Sequence, residues 1–231
     1  MFIGHFAPAM IAARHKDAPS LPVLFIGAQL VDWAFFGLLL TGAEKMRVTP
    51  GISAMNPMDL YHMPYTHSLL GSAIFALVFG VLIFAATRNR TGALIAAAVV
   101  LSHWFLDLLV HVPDLTLAGS PPKMGFGLWN HPSIEMPLEL ALTFGSLWLY
   151  AKVAQPKALP LVSLAGVLLL LQAVNWFGPR GMGRMALGIA LATAALTLVV
   201  AVCSIPSLHH TRVEFPVRER YSLAAWGDAW I

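Results

Sequence analysis

The chain has 231 residues, 58% of them hydrophobic and 11% charged, with a mean hydropathy of +0.74. Soluble domains carry about 25% charged residues, so this composition excludes a water-soluble globular protein and indicates a polytopic helical membrane protein. The net charge of +3 reads as basic loops that set topology, and nucleic acid is not expected as a partner.

In chain order, the apolar stretch at about 2–13 comes first and is too short to cross a hydrocarbon core of about 30 Å. It reads as a half-depth helix tucked against the bundle, or as an interfacial one. It lacks a basic stretch ahead of its apolar part, so a cleaved signal peptide is not expected. Six longer apolar segments follow, at roughly 21–41, 66–87, 92–112, 133–152, 159–177 and 185–204. Each is predicted to be a helix, because a segment in lipid must satisfy its own backbone hydrogen bonds. The connectors between them are Pro/Gly-bearing or charged, and the Gly-rich 178–184 reads as a turn. The expected fold is an all-α bundle of about six transmembrane helices plus the short N-terminal helix. Residues 1–152 would form the metal-site core, 153–205 two accessory helices and 206–231 an extramembrane tail. The single cysteine, Cys203, excludes an internal disulfide. With six spans, nine Lys and Arg fall on one side and five on the other, which places both termini in the cytoplasm.

Ionisable groups at membrane depth are costly unless paired, hydrated or metal-bound. Asp32 lies mid-way along the first span, and His62 and His67 enter the second. His103, Asp107 and His111 stand four residues apart on the third, forming one helical stripe. His131 and Glu135 repeat that spacing at the start of the fourth, with Glu139 one turn deeper. Imidazole and carboxylate together suit zinc, manganese or iron. The second span begins, the third ends and the fourth begins at the outer face, so connectivity alone gathers most of these groups there. His5 reaches comparable depth by helix rise: about 13 Å from Arg14, against about 17 Å from the start of the first span to Asp32. A single such residue is more often an interhelical hydrogen-bond partner; the whole set argues for a site. Asp114 is a candidate orienting partner, as are Ser68 and Ser102. Glu44 and Asp59 read as ordinary loop acids.

Gly4-His5, GAQLVDW, HMPYTHSLL and SHWFLD resemble motifs of a bacterial inner-membrane metal-dependent hydrolase family, YdjM-like and also described as LexA-binding. The resemblance covers about the first 140 residues. It departs at Ala34, where that family has a second Asp, at Val31 in place of its Pro, and at Met63-Pro64 in place of Arg-Gly. A more distant likeness is to the soluble zinc-dependent phospholipase C and its related single-strand nucleases, which hold three clustered zinc ions in a helical protein. That resemblance implies one ion on Asp32, His67, His103 and Asp107, a second on His111, His131 and Glu135, and a third on His5 with Asp107 shared. Two or three divalent ions, zinc for preference, are therefore expected.

The expected function is a membrane-embedded hydrolase of phosphoester or phospholipid-headgroup bonds acting through metal-activated water, with Asp32 as ligand or general base. Its setting would be the bacterial inner membrane, with the site towards the outer face and membrane lipid as substrate or surround. The alternative is a non-catalytic accessory or structural subunit with a membrane-protein partner and an inherited metal site. Haem binding fits poorly with the carboxylates. Transport would call for polar groups through the full depth of spans five and six, which offer little beyond Gln172 and Asn175.

Overall fold

The computed structural model describes residues 1–178. A 3-10 turn at Ile3–His5 runs directly into α1 (Phe6–Ala12). Four long helices follow, α2 (Leu21–Thr41), α3 (Leu69–Thr87), α4 (Arg90–Val110) and α5 (Pro132–Ala154), and then α6 (Ala158–Phe177). Their limits have local causes. Pro22 opens α2, where its missing N–H costs nothing, and Gly42, left-handed at φ 76°, closes it. The Ser68 side chain accepts from the Gly71 amide to cap α3, and Asn89 does the same for Gly92 at α4.

Among the described residues, four helices are long and apolar enough to cross a membrane: α2, α3, α4 and α6. This is consistent with a membrane protein. Six spans were expected; α5 has the length but carries Glu135, Glu139 and Lys152, so it does not reach the same hydropathy. The expected span at 185–204, the tail at 206–231 and all but Gly178 of the turn expected at 178–184 lie outside the described residues.

The short N-terminal helix forms as expected, and it is a central element. Ile3, Phe6, Ala9 and Met10 are buried in one core with Leu24 and Phe25 of α2, Ala96 and Val99 of α4, Leu147 of α5 and Leu168 of α6. α3 and α4 pack as a tight hairpin, with Gly80 set against Ala93 and Ala97. Small residues are what permit such close approach within lipid. The outer face of α3 leaves Leu70, Ile74, Leu77, Val81 and Leu82 exposed, as acyl chains require.

The connector at 42–65 is not the plain loop expected. It folds into a two-stranded antiparallel sheet, β1 (Lys45–Val48) with β2 (Met58–His62), in which Arg47 pairs with Asp59 in register. The Arg47 Nε–Asp59 Oδ2 bond of 2.6 Å and the Arg47 guanidinium over the Tyr61 ring at 5.1 Å tie the strands across one face. This hairpin and the 111–131 connector are laced together at one end of the bundle. The Leu69 and Leu70 amides donate to the Thr116 and Leu117 carbonyls, and Met55 donates to Trp129.

Candidate metal centre

Asp107, in the last turn of α4, is the hub. Its Oδ1 lies 2.9 Å from the Met1 amino nitrogen, 3.1 Å from His5 Nε2 and 3.5 Å from His111 Nε2. Its Oδ2 lies 3.1 Å from His103 Nε2 and 3.6 Å from His67 Nε2. Asp32 Oδ1, from the middle of α2, stands 3.5 Å from His103 Nε2 and 3.7 Å from His67 Nε2. Two triads, His5/Asp32/His103 and His67/His103/Asp107, each offer ligand atoms that lie within 4.8 Å of one another.

The opposite nitrogens explain why the Nε2 atoms point inward. His67 Nδ1 meets Thr66 Oγ1 at 2.8 Å, His103 Nδ1 meets the Ala28 carbonyl at 3.0 Å, and His111 Nδ1 meets Asp114 Oδ1 at 2.9 Å. A carbonyl and a carboxylate can only accept, so His103 and His111 donate from Nδ1. Thr66 Oγ1 donates to Glu44 Oε2 at 2.6 Å, which leaves it to accept from His67 as well. With Nδ1 carrying the proton, the neutral form of each of these three rings turns its Nε2 lone pair to the centre, as metal-binding histidines do. Ring packing holds the planes. His5 stacks on His103 with centroids 3.8 Å apart and planes 6° from parallel, and Trp129 lies 4.2 Å from His111.

Two observations bear on whether a metal fits. His5 Nε2, His103 Nε2 and Asp107 Oδ2 are buried without a hydrogen-bond partner, a costly condition for polar atoms unless something else satisfies them. In addition, two ligands at ~2.1 Å from a tetrahedral zinc are separated by about 3.4 Å, and the carboxylate–imidazole spacings run from 3.1 to 3.7 Å. Most are too long for good hydrogen bonds and suit two donors sharing one ion.

Charge varies around the centre. Burial drives the His5 imidazole down to about 4, with the adjacent His103 adding to the effect. For His111, just beyond the end of α4, burial opposes the charge. Asp114 and Asp107 outweigh it and raise the imidazole to about 9.

Of the residues singled out from sequence, the structure gathers His5, Asp32, His67, His103, Asp107 and His111, with Asp114 behind His111. Glu135 is buried beside Glu139, close to the Met1 amino group. His131 is exposed. Its backbone, at φ −126° and ψ 68°, is not helical, and it stands at the N-cap of α5 with its carbonyl accepting from the Glu135 amide at 2.9 Å. His62 is exposed on β2. Ser68 caps α3 and the Ser102 hydroxyl donates to its own helix at Val99, so neither orients a histidine.

Glu44 corrects the sequence reading. This loop acid is fully buried, and its carboxylate accepts from the Tyr65 and Thr66 amides, both at 2.9 Å, as well as from Thr66 Oγ1. It is the outer support of His67, and no local pattern marks a partner 22 residues away. Close approach at Gly71 completes that support, since a Cβ there would fall 1.6 Å from the Tyr65 carbonyl oxygen.

Comparison with known proteins found no match among family models, curated proteins or solved structures.

Proposed function

We propose that the chain is a membrane-embedded, metal-dependent hydrolase of phosphoester bonds, with lipid headgroups as its substrate class. The observation that carries this reading is the inward convergence of imidazole Nε2 atoms on Asp107 and Asp32, with the Nδ1 atoms of His67, His103 and His111 tied from behind. Divalent ions, for which zinc best suits this nitrogen and oxygen set, would supply a water of lowered pKa and positive charge against the phosphate.

The chain's own groups then have defined tasks. Asp107 and the imidazoles of His67 and His103 hold the ions. Thr66, Ala28 and Asp114 fix which nitrogen is free. Asp32 has 23% of its side chain exposed, against 2% for Asp107, so it is the more accessible of the two carboxylates and the one suited to take a proton from an attacking water. The hairpin and the 111–131 connector cap the centre at the bundle end where α3 begins and α4 finishes. Such a position suits a headgroup presented at the membrane surface, here assigned to the outer leaflet of a bacterial inner membrane.

The test is turnover of phospholipid and phosphodiester substrates by purified protein loaded with zinc. Asp107→Ala should have neither metal nor activity, and wild-type-like turnover by that variant would rule out the mechanism. A second reading, a non-catalytic subunit that keeps the site, is favoured by the deep burial of the imidazoles. It would be upheld by full metal content, no hydrolysis across such a screen and isolation in a stoichiometric membrane complex.

A further inference from the structure

The acids of α5 lie outside the two ligand triads, and Glu139 has a distinct set of partners. Its Oε1 accepts from the backbone amides of Phe2 and Gly4, the latter at 3.0 Å, and its Oε2 accepts from Gln172 Nε2 of α6. Both Glu139 and Gln172 are buried. The two amides belong to the start of the Ile3–Ala12 helical segment, where no side chain of its own supplies a cap. Helix-start amides need acceptors, and a carboxylate there also meets the positive end of the helix dipole. So short a segment does not hold its own conformation. Its place is therefore set by core packing, by the pairing of the Met1 amino group with Asp107 at 2.9 Å, and by this anchor. His5 follows Gly4 directly, stacks on His103 and brings Nε2 to 3.1 Å from Asp107. An unbroken series of contacts thus runs from α6 through α5 and the N-terminal turn to the centre.

We infer that Glu139, held by Gln172, is a positioning residue that latches the N-terminal segment in place and so governs occupancy of the ion that uses His5. This gives the α5–α6 pair a role: it is the wall on which a ligand-bearing segment is docked. The inference rests on the metal reading above.

The experiment counts zinc bound to the full-length protein in detergent, titrated with zinc alone, for wild type, His5→Ala, Glu139→Leu and the double variant. The expected result is that His5→Ala and Glu139→Leu each lose the same single equivalent and that the double variant loses no more. Residual affinity for the remaining zinc should be unchanged. A variant that merely loosened the bundle would weaken every ion together, which would overturn the latch. A folded Glu139→Leu protein with the full complement would overturn it too, while leaving the metal reading intact. A wild type that binds no zinc would overturn both. Should Glu139→Leu fail to fold, the exchange E139Q/Q172E decides. It keeps an oxygen towards the amides and a donor–acceptor pair between the helices, so it should hold the full complement, while Gln172→Leu should bind the His5-dependent zinc about tenfold more weakly. Wild-type affinity in Gln172→Leu, or a lost equivalent in the exchange, contradicts the inference.

Discussion

Two helices carry stripes of ionisable residues at four-residue spacing, and their surroundings differ. On α4, His103 and Asp107 face inward and meet His5, Asp32 and His67 of other elements, while His111, just past the helix end, lies 3.5 Å from Asp107 with its ring 5.8 Å from that of His67. On α5, His131 stands outside the helix and is exposed, while Glu135 and Glu139 are buried against the N-terminal segment. The α4 stripe has its imidazole Nδ1 atoms tied by acceptors. The Glu139 carboxylate has its own oxygens occupied by amides. Spacing along a helix puts groups on one face; whether they become a ligand set depends on what ties the far side of each group.

That contrast can be broken most severely at Asp107. Asp107→Asn keeps the shape but loses charge at the point where four imidazoles meet. It is expected to remove bound metal altogether and hydrolysis with it, whereas His131→Ala, at an exposed position, should leave metal content unchanged. Metal analysis of the two variants side by side checks this, and metal loss in His131→Ala would return the α5 stripe to the ligand set. Next in size is Gly71→Ala, where the added Cβ must displace the Tyr65 carbonyl beside His67. Overpacking of this kind costs about 1–3 kcal/mol, read as a lowered midpoint in thermal unfolding in detergent.

Smaller effects sharpen the role of the outer supports. Thr66→Val removes the acceptor for His67 Nδ1 and the hydroxyl bond to Glu44 Oε2, while the two amide bonds to Glu44 Oε1 stay, so metal affinity should fall by about 10–100-fold with the fold retained. An unchanged affinity would show that His67 needs no such support. Smallest is a pH effect. With its imidazole raised to about 9 in the metal-free protein, His111 must shed a proton to ligate. If His111 takes part, binding below that pH releases a proton and affinity climbs with pH by up to about tenfold per unit for that site. Titration in two buffers of different protonation enthalpy measures the release, and His111→Ala should reduce it by one proton.

The long apolar runs made α2, α3, α4 and α6 readable from sequence, because length and hydropathy suffice for a helix in lipid. Helix rise also brought His5 level with Asp32, and the two fall in one triad. Other features depended on contacts that local patterns do not encode. The β1–β2 hairpin arises where a polar connector folds over the bundle end, and it brings Glu44 beneath Thr66. His131 was expected to open the helix with Glu135; it stands at the N-cap of α5, non-helical in backbone and exposed. Glu139 looked like a deeper member of the same stripe, yet its partners come from the chain's first residues and from α6.

The most direct test is elemental analysis of the purified, folded protein after equilibration with zinc and removal of loose metal. Two or three zinc ions per wild-type chain, and none in Asp107→Asn, is the result expected if these imidazoles and carboxylates form a metal centre. A correctly folded wild type that retains no metal would contradict it.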